Sequence, residues 1–160
     1  MMRRLFAGML APLAVSSASA QVGGNLAALP AIDITIEIKT AADGKPVLSQ
    51  SDIKLVTGDY YRLNFKSDGK DVWRVEVPDL LQNSHLRVMT INDVEVHLQG
   101  LIFRAIEFDK AGSASFALTP IRPGDYQLYV GKDPRSLGRP IGEAGVHLGD
   151  KVAFATFHVE

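Results

Sequence analysis

From Ile32 to Lys39 apolar and polar residues alternate without a fault, Ile-Asp-Ile-Thr-Ile-Glu-Ile-Lys. A period of two belongs to an extended strand with one buried and one wet face; a helix needs an apolar stripe every three to four residues. The same period returns after Gly58-Asp59, where Tyr61, Leu63 and Phe65 oppose Arg62, Asn64 and Lys66. It returns again over Val72–Val77, which Pro78 stops because proline cannot donate to a ladder. Further strands are predicted over Leu86–Ile91, Val94–Leu98, Leu101–Phe108, Ser113–Thr119, Asp125–Val130 and Val152–Val159. Asp43-Gly44, Ser67 to Asp71, Asn92-Asp93, Asp109 to Gly112 and Arg122 to Asp125 supply turn chemistry between them. Pro46 to Thr57 reads as irregular, and Asp79 to Ser84 as one helical turn. The pattern predicts an all-β chain, an antiparallel sandwich or barrel with at most one short helix.

Ahead of these strands lies a segment of another kind. Met1-Met2-Arg3-Arg4 is a short basic start, Leu5 to Val15 is apolar, and Ala18-Ser19-Ala20 is a small-residue cleavage pattern. That is the layout of a secretory signal over residues 1–20, and its apolar run is too short to span a bilayer stably. The sequence therefore predicts export, cleavage before Gln21, an N-terminal extension over 21–31 and one domain over 32–160. The expected product is soluble in a periplasmic or extracellular space, without membrane insertion. Cleavage removes Arg3 and Arg4 but no acid, taking the net charge from −1 to −3. No basic surface for nucleic acid is indicated. The chain has no cysteine, which excludes disulfides, thiolate metal sites and cysteine nucleophiles. Residues 131–149 contain seven glycines or prolines and read as a long loop of a length that often carries function.

Three segments, in order, resemble a cupredoxin. They are the strand from Gly58-Asp59 through Asn64; the run Asp71-Val72-Trp73-Arg74-Val75-Glu76-Val77-Pro78-Asp79-Leu80; and Ile106 to Phe108, Gly112 to Phe116 and Pro120 to Tyr126, with Pro123-Gly124-Asp125-Tyr126 at its centre. The second is similar to the histidine strand of cytochrome oxidase subunit II-type copper domains. The third is similar to the approach to the last copper-carrying strand of plastocyanin- or azurin-like proteins. The resemblance implies a Greek-key sandwich of cupredoxin type over residues 32–159. It also implies where copper ligands would stand, and there this chain departs. Trp73 or Arg74 occupies the first histidine position, and Val130 and Gly131 stand where the cysteine is expected. The following loop holds His147 and no methionine. A blue-copper centre needs the thiolate, so it is excluded.

Imidazole and carboxylate can still bind copper or zinc without sulfur. Glu95, His97 and Gln99 alternate on one strand face, and with His85 or His147 they could form a His/Glu metal site. The same alternation also describes an ordinary wet strand face. His158, two residues before the last, reads as surface. Arg74, Glu76, Arg87 and Arg104 form a second group: cross-strand charge pairs in the plain reading, a docking patch for a protein partner in the functional one. Trp73 is expected in the core, where it would plug the vacated ligand end. No G-x-S-x-G, H-E-x-x-H, P-loop or G-x-G-x-x-G motif is present, and the expectation is a binding protein, not an enzyme. Two functions follow from the sequence. One is an exported cupredoxin-like protein that handles copper through His and carboxylate ligands or assists a periplasmic copper-dependent system. The other is a metal-free adaptor that docks a periplasmic protein.

Overall fold

Burial follows the alternation. Ile36 and Ile38 are fully buried, while Glu37 and Lys39 between and beyond them form an exposed ion pair at 2.6 Å. The computed structural model describes residues 26, 30–92, 95–99, 102–132 and 153–160, with only the backbone at 95–99, 102, 104, 153 and 154. The predicted signal segment and nearly all of residues 131–149, His147 included, lie outside the described residues. The elements are β1 (Ile32–Thr40), β2 (Pro46–Leu48), β3 (Asp52–Leu55), β4 (Tyr61–Ser67), β5 (Trp73–Glu76), α1 (Pro78–Gln82), β6 (Ser84–Asn92), β7 (Glu95–Gln99), β8 (Ile102–Phe108), β9 (Gly112–Pro120), β10 (Gly124–Gly131) and β11 (Ala153–Val159).

The strands form two sheets, β2-β1-β4-β9-β6 and β3-β11-β10-β5-β8-β7. This is the expected all-β sandwich with one short helix. Most neighbours are antiparallel, but β1 runs parallel to β4 and β11 parallel to β3. The reason lies in two strands the alternation does not reveal. β2 folds back on β1, and β3 then crosses to the second sheet, so β4 returns to the first running the same way as β1.

The inner faces interdigitate into one core. Leu63, Phe65, Phe116 and Leu118 come from the first sheet, and Trp73, Ile106, Phe108, Leu128, Val130 and Phe157 from the second. Each such side chain contributes roughly 1.5–3 kcal/mol by leaving water. Phe116 meets Phe65 edge-on at 5.8 Å and, across the layers, Phe103 at 5.3 Å. A bulge between Leu86 and Val88 shifts the alternation of β6, so Leu86, Met89 and Ile91 all pack on the core and Val88 is left exposed.

The sandwich has two distinct ends. At the helix end, Pro78 stops β5 and opens α1, whose Leu80 is fully buried. There Gly58 N–H donates to the Pro120 carbonyl at 2.9 Å and Ile121 N–H to the Asn83 carbonyl at 3.0 Å, tying three connections together. At the other end β5 begins at Trp73, and the turn from β4 packs on the turn from β8 to β9. Gly69 there has φ +69°, and a Cβ on it would fall 2.0 Å from the Ala111 nitrogen, so only glycine fits. Among the described residues no helix is long and apolar enough to cross a membrane.

Candidate metal centre

The first place to look for a centre is the end that β5 opens, where the cupredoxin resemblance would put ligands. It is closed by side chains. Trp73 is 1% exposed, and Val130, at the expected cysteine position, is fully buried. The Trp73 indole N–H donates to Thr40 Oγ1 at 3.0 Å, crossing from one sheet to the other. Thr40 N–H in turn donates to Asp68 Oδ2 at 3.0 Å. Over the indole face lies the Lys132 ammonium, 4.4 Å from the ring centroid, and it also forms an ion pair with Asp71. A lysine thus supplies the cation at this end, held by an aromatic face and a carboxylate. Asp71 is held below the usual carboxylate range, first by the Lys132 hydrogen bond, against partial burial, and then by the Val72 N–H. For Asp68 burial is the largest influence and acts upward. The N–H groups of Thr40 and Lys70 and the Thr40 hydroxyl outweigh it, and its carboxyl too is lowered.

The second place is the outer face of the sheet containing β5. Register puts Glu95 opposite Glu107, His97 opposite Ala105, Arg74 opposite both Glu107 and Gly131, and Glu76 opposite Tyr129. Opposed residues share a face, so Glu107 on β8 and Arg74 and Glu76 on β5 belong to one polar surface. It is not the open surface that alternation predicts. Arg74, Glu76 and Glu107 are 5%, 6% and 5% exposed. Arg74 Nε donates to Glu76 Oε1 at 3.1 Å.

This corrects the expected docking patch. Arg74 and Glu76 are buried and paired with each other, and Arg104 stands on β8 of the same sheet. Arg87 belongs to β6, at the edge of the other sheet, where its guanidinium lies 5.8 Å from the Tyr60 ring centroid and Nη1 donates to Tyr60 Oη at 3.4 Å. The four residues do not share one face.

The expected metal set is also separated in part. His85, exposed on β6 opposite Thr119, lies near the helix end, whereas Glu95 opens β7 near the Trp73 end. At ~3.3 Å per residue and ~10 Å between sheets, His85 is offset from His97 by roughly 15 Å along the strands as well as by a full layer. His85 therefore does not join the strand that carries Glu95 and His97. Among the described residues no three His, Cys, Asp or Glu side chains converge as a metal cluster.

One histidine that sequence reasoning set aside stands among carboxylates. His158 on β11 lies opposite Asp125 of β10 and beside Lys54 of β3. Its Nδ1 is 2.7 Å from Asp125 Oδ1 and its Nε2 is 3.6 Å from Asp52 Oδ1. A cavity of about 460 Å³, lined also by Lys54, Gly124, Val159 and Glu160, opens in front of the group. No local signal in the sequence could find it, because Asp52 reaches it only through the parallel β3–β11 pairing.

No family model and no curated protein matches the chain in sequence. Solved structures do match its shape. A multicopper oxidase from Pediococcus acidilactici is similar over 96% of this chain and 30% of its own, at 10% identity and a TM-score of 0.50. A multicopper oxidase from Campylobacter jejuni, described as a metallo-oxidase, matches 81% of this chain and 30% of its own, at 9% identity and a TM-score of 0.49. A copper-containing nitrite reductase from Thermus scotoductus matches 81% of this chain and 31% of its own, at 15% identity and a TM-score of 0.45. The chain spans about a third of the length of these proteins. At such identities the likeness concerns the fold alone. That fold, two face-packed β-sheets with one short helix, is similar to the cupredoxin-like domains of multicopper oxidases.

Proposed function

We propose that the chain is an exported cupredoxin-like binding module that handles copper in a periplasmic space through imidazole and carboxylate donors, without catalysing a reaction itself. The observation that carries this reading is the register of β7 on β8. It pairs Glu95 with Glu107 and His97 with Ala105, two residues further along the same strand. Carboxylate oxygens from neighbouring strands are donors that a divalent cation accepts. An imidazole beside them supplies the nitrogen donor that Cu(II) prefers over purely oxygen sites. The signal-like segment of residues 1–20 supports export. The full-length similarity to a multicopper-oxidase domain supports a setting in which copper is the relevant metal.

The test is a Cu(II) titration of the chain lacking residues 1–20, followed by electron paramagnetic resonance. We expect binding at micromolar Cu(II) with nitrogen and oxygen donors and without the intense charge-transfer band of a copper–thiolate bond. His97→Ala is expected to weaken that binding about tenfold or more, while His85→Ala leaves it unchanged. Absence of Cu(II) binding at micromolar concentration overturns the proposal.

A further inference from the structure

We propose that the edge of β6 pairs with the same edge of a second copy of this chain, antiparallel and centred on Thr90. The starting point is a difference among the four strands that end the two sheets, β2, β6, β3 and β7. β2 and β3 are three and four residues long; β2 opens with Pro46, and β3 carries Asp52 and Lys54. β7 has five residues and begins with Glu95. Shortness, proline and charge are the usual protections of an edge against a foreign strand. β6 lacks them. It runs for nine residues, and beyond its bulge the stretch Val88-Met89-Thr90-Ile91-Asn92 contains neither charge nor proline. Val88 is 47% exposed, and Thr90 and Asn92 are exposed beside it. Among the described residues β6 bonds only to β9, so its other side presents backbone N–H and C=O groups as a template.

The stretch is suited to its own copy. Met89 and Ile91 face inward, opposite Phe116 and Ala114, whereas Val88, Thr90 and Asn92 face outward. A two-fold axis through Thr90 sets Met89 against Ile91 of the other copy, Val88 against Asn92, and Thr90 against Thr90. Each of these pairs shares a face, as an antiparallel ladder requires. Pairing along the whole strand is excluded by the bulge. An axis at Val88 would oppose inward Leu86 to outward Thr90, and outward His85 to inward Ile91. Because the five residues are uncharged, two copies meet without like charges in opposition. The contact also finishes a core that is incompletely covered on this flank, where Leu86, Met89 and Ile91, with Phe103 of β8, are only partly buried. Met89 is unbranched and polarizable, so it adapts to a new neighbour. Five paired residues span about 17 Å, a small contact that gives a transient dimer with a Kd on the order of 10–100 μM.

Sedimentation equilibrium of the chain lacking residues 1–20, run in chelator so that it is independent of the copper proposal, tests this. We expect monomer at about 1 μM and a substantial dimer fraction at about 100 μM. Thr90→Lys and Thr90→Glu each place like charges face to face on an exposed position, and each is expected to weaken dimerisation severalfold. An equal mixture of the two variants is expected to associate at least as well as the natural chain, a recovery that misfolding could not produce. The register is read by cross-linking, since the chain has no cysteine of its own. Thr90→Cys brings two thiols directly opposite each other, within disulfide reach, and air oxidation is expected to link the dimer. Asn92→Cys leaves its thiols four residues apart, about 13 Å, and is expected not to link. Monomer alone at about 100 μM, or Asn92→Cys linking as readily as Thr90→Cys, overturns the inference.

Discussion

The two ends of the sandwich treat positive charge in opposite ways. At the Trp73 end the cation is part of the chain: the Lys132 ammonium lies over a buried indole and against Asp71, and Trp73 is anchored through Thr40 to Asp68. At the helix end Asp52, Asp125 and His158 line an open cavity, and Lys54 sits beside them. The first arrangement is satisfied from within and closes the core. In the second, His158 is hydrogen-bonded to Asp125 at 2.7 Å and stands 3.6 Å from Asp52, all at an exposed rim. The lesson is that the two ends of one sandwich can be finished differently, one by a buried aromatic and its ion pair, the other by exposed charged side chains.

That contrast can be broken first at its largest element. Trp73→Ala removes a fully buried indole and its hydrogen bond to Thr40, and urea unfolding should show a loss of about 3–5 kcal/mol. A loss below ~1 kcal/mol would mean that Trp73 does not close the end. Gly69→Ala forces a Cβ into the Ala111 backbone at a positive φ, and the same measurement should register about 2–4 kcal/mol.

Lys132→Met keeps most of the stem and removes the charge, and is expected to cost about 1–2 kcal/mol. Its pH dependence sharpens the reading. The Asp71 carboxyl is lower in the folded chain than its ordinary value of 3.8, so its contribution is present above that value and is lost as pH falls through the folded one. The stability difference between the natural chain and Lys132→Met should therefore be constant near neutrality and shrink below about pH 4. Smallest of all, His158→Ala should change stability by less than ~0.5 kcal/mol, because the side chain is partly exposed and flanked by exposed aspartates. A large loss there would make the His158 group a structural clasp like its counterpart at the Trp73 end.

Much of the sandwich could be read from the residues alone. β1, β4 and β10 carry regular alternation between turns, and their boundaries, like those of β9, fall within a residue or two of expectation. β2 and β3, three and four residues long, are too short for a period to declare itself, and the parallel pairings they create were unreadable for the same reason. Alternation assigned Arg74 and Glu76 to the outer face correctly and their exposure incorrectly, since a face says nothing of what covers it. The placement of Trp73 in the core was legible because its strand neighbours Val75 and Val77 share its parity. The company of His158 was not: its two carboxylate neighbours come from strands on either side of β11, and no spacing rule links them.

The central position of the last two strands in the second sheet has a kinetic consequence. β10 holds β5 and β11, and β11 holds β3, so that sheet cannot close until the final segment is available. Its assembly depends on long-range encounters and not on successive hairpins, a topology associated with folding in milliseconds to seconds.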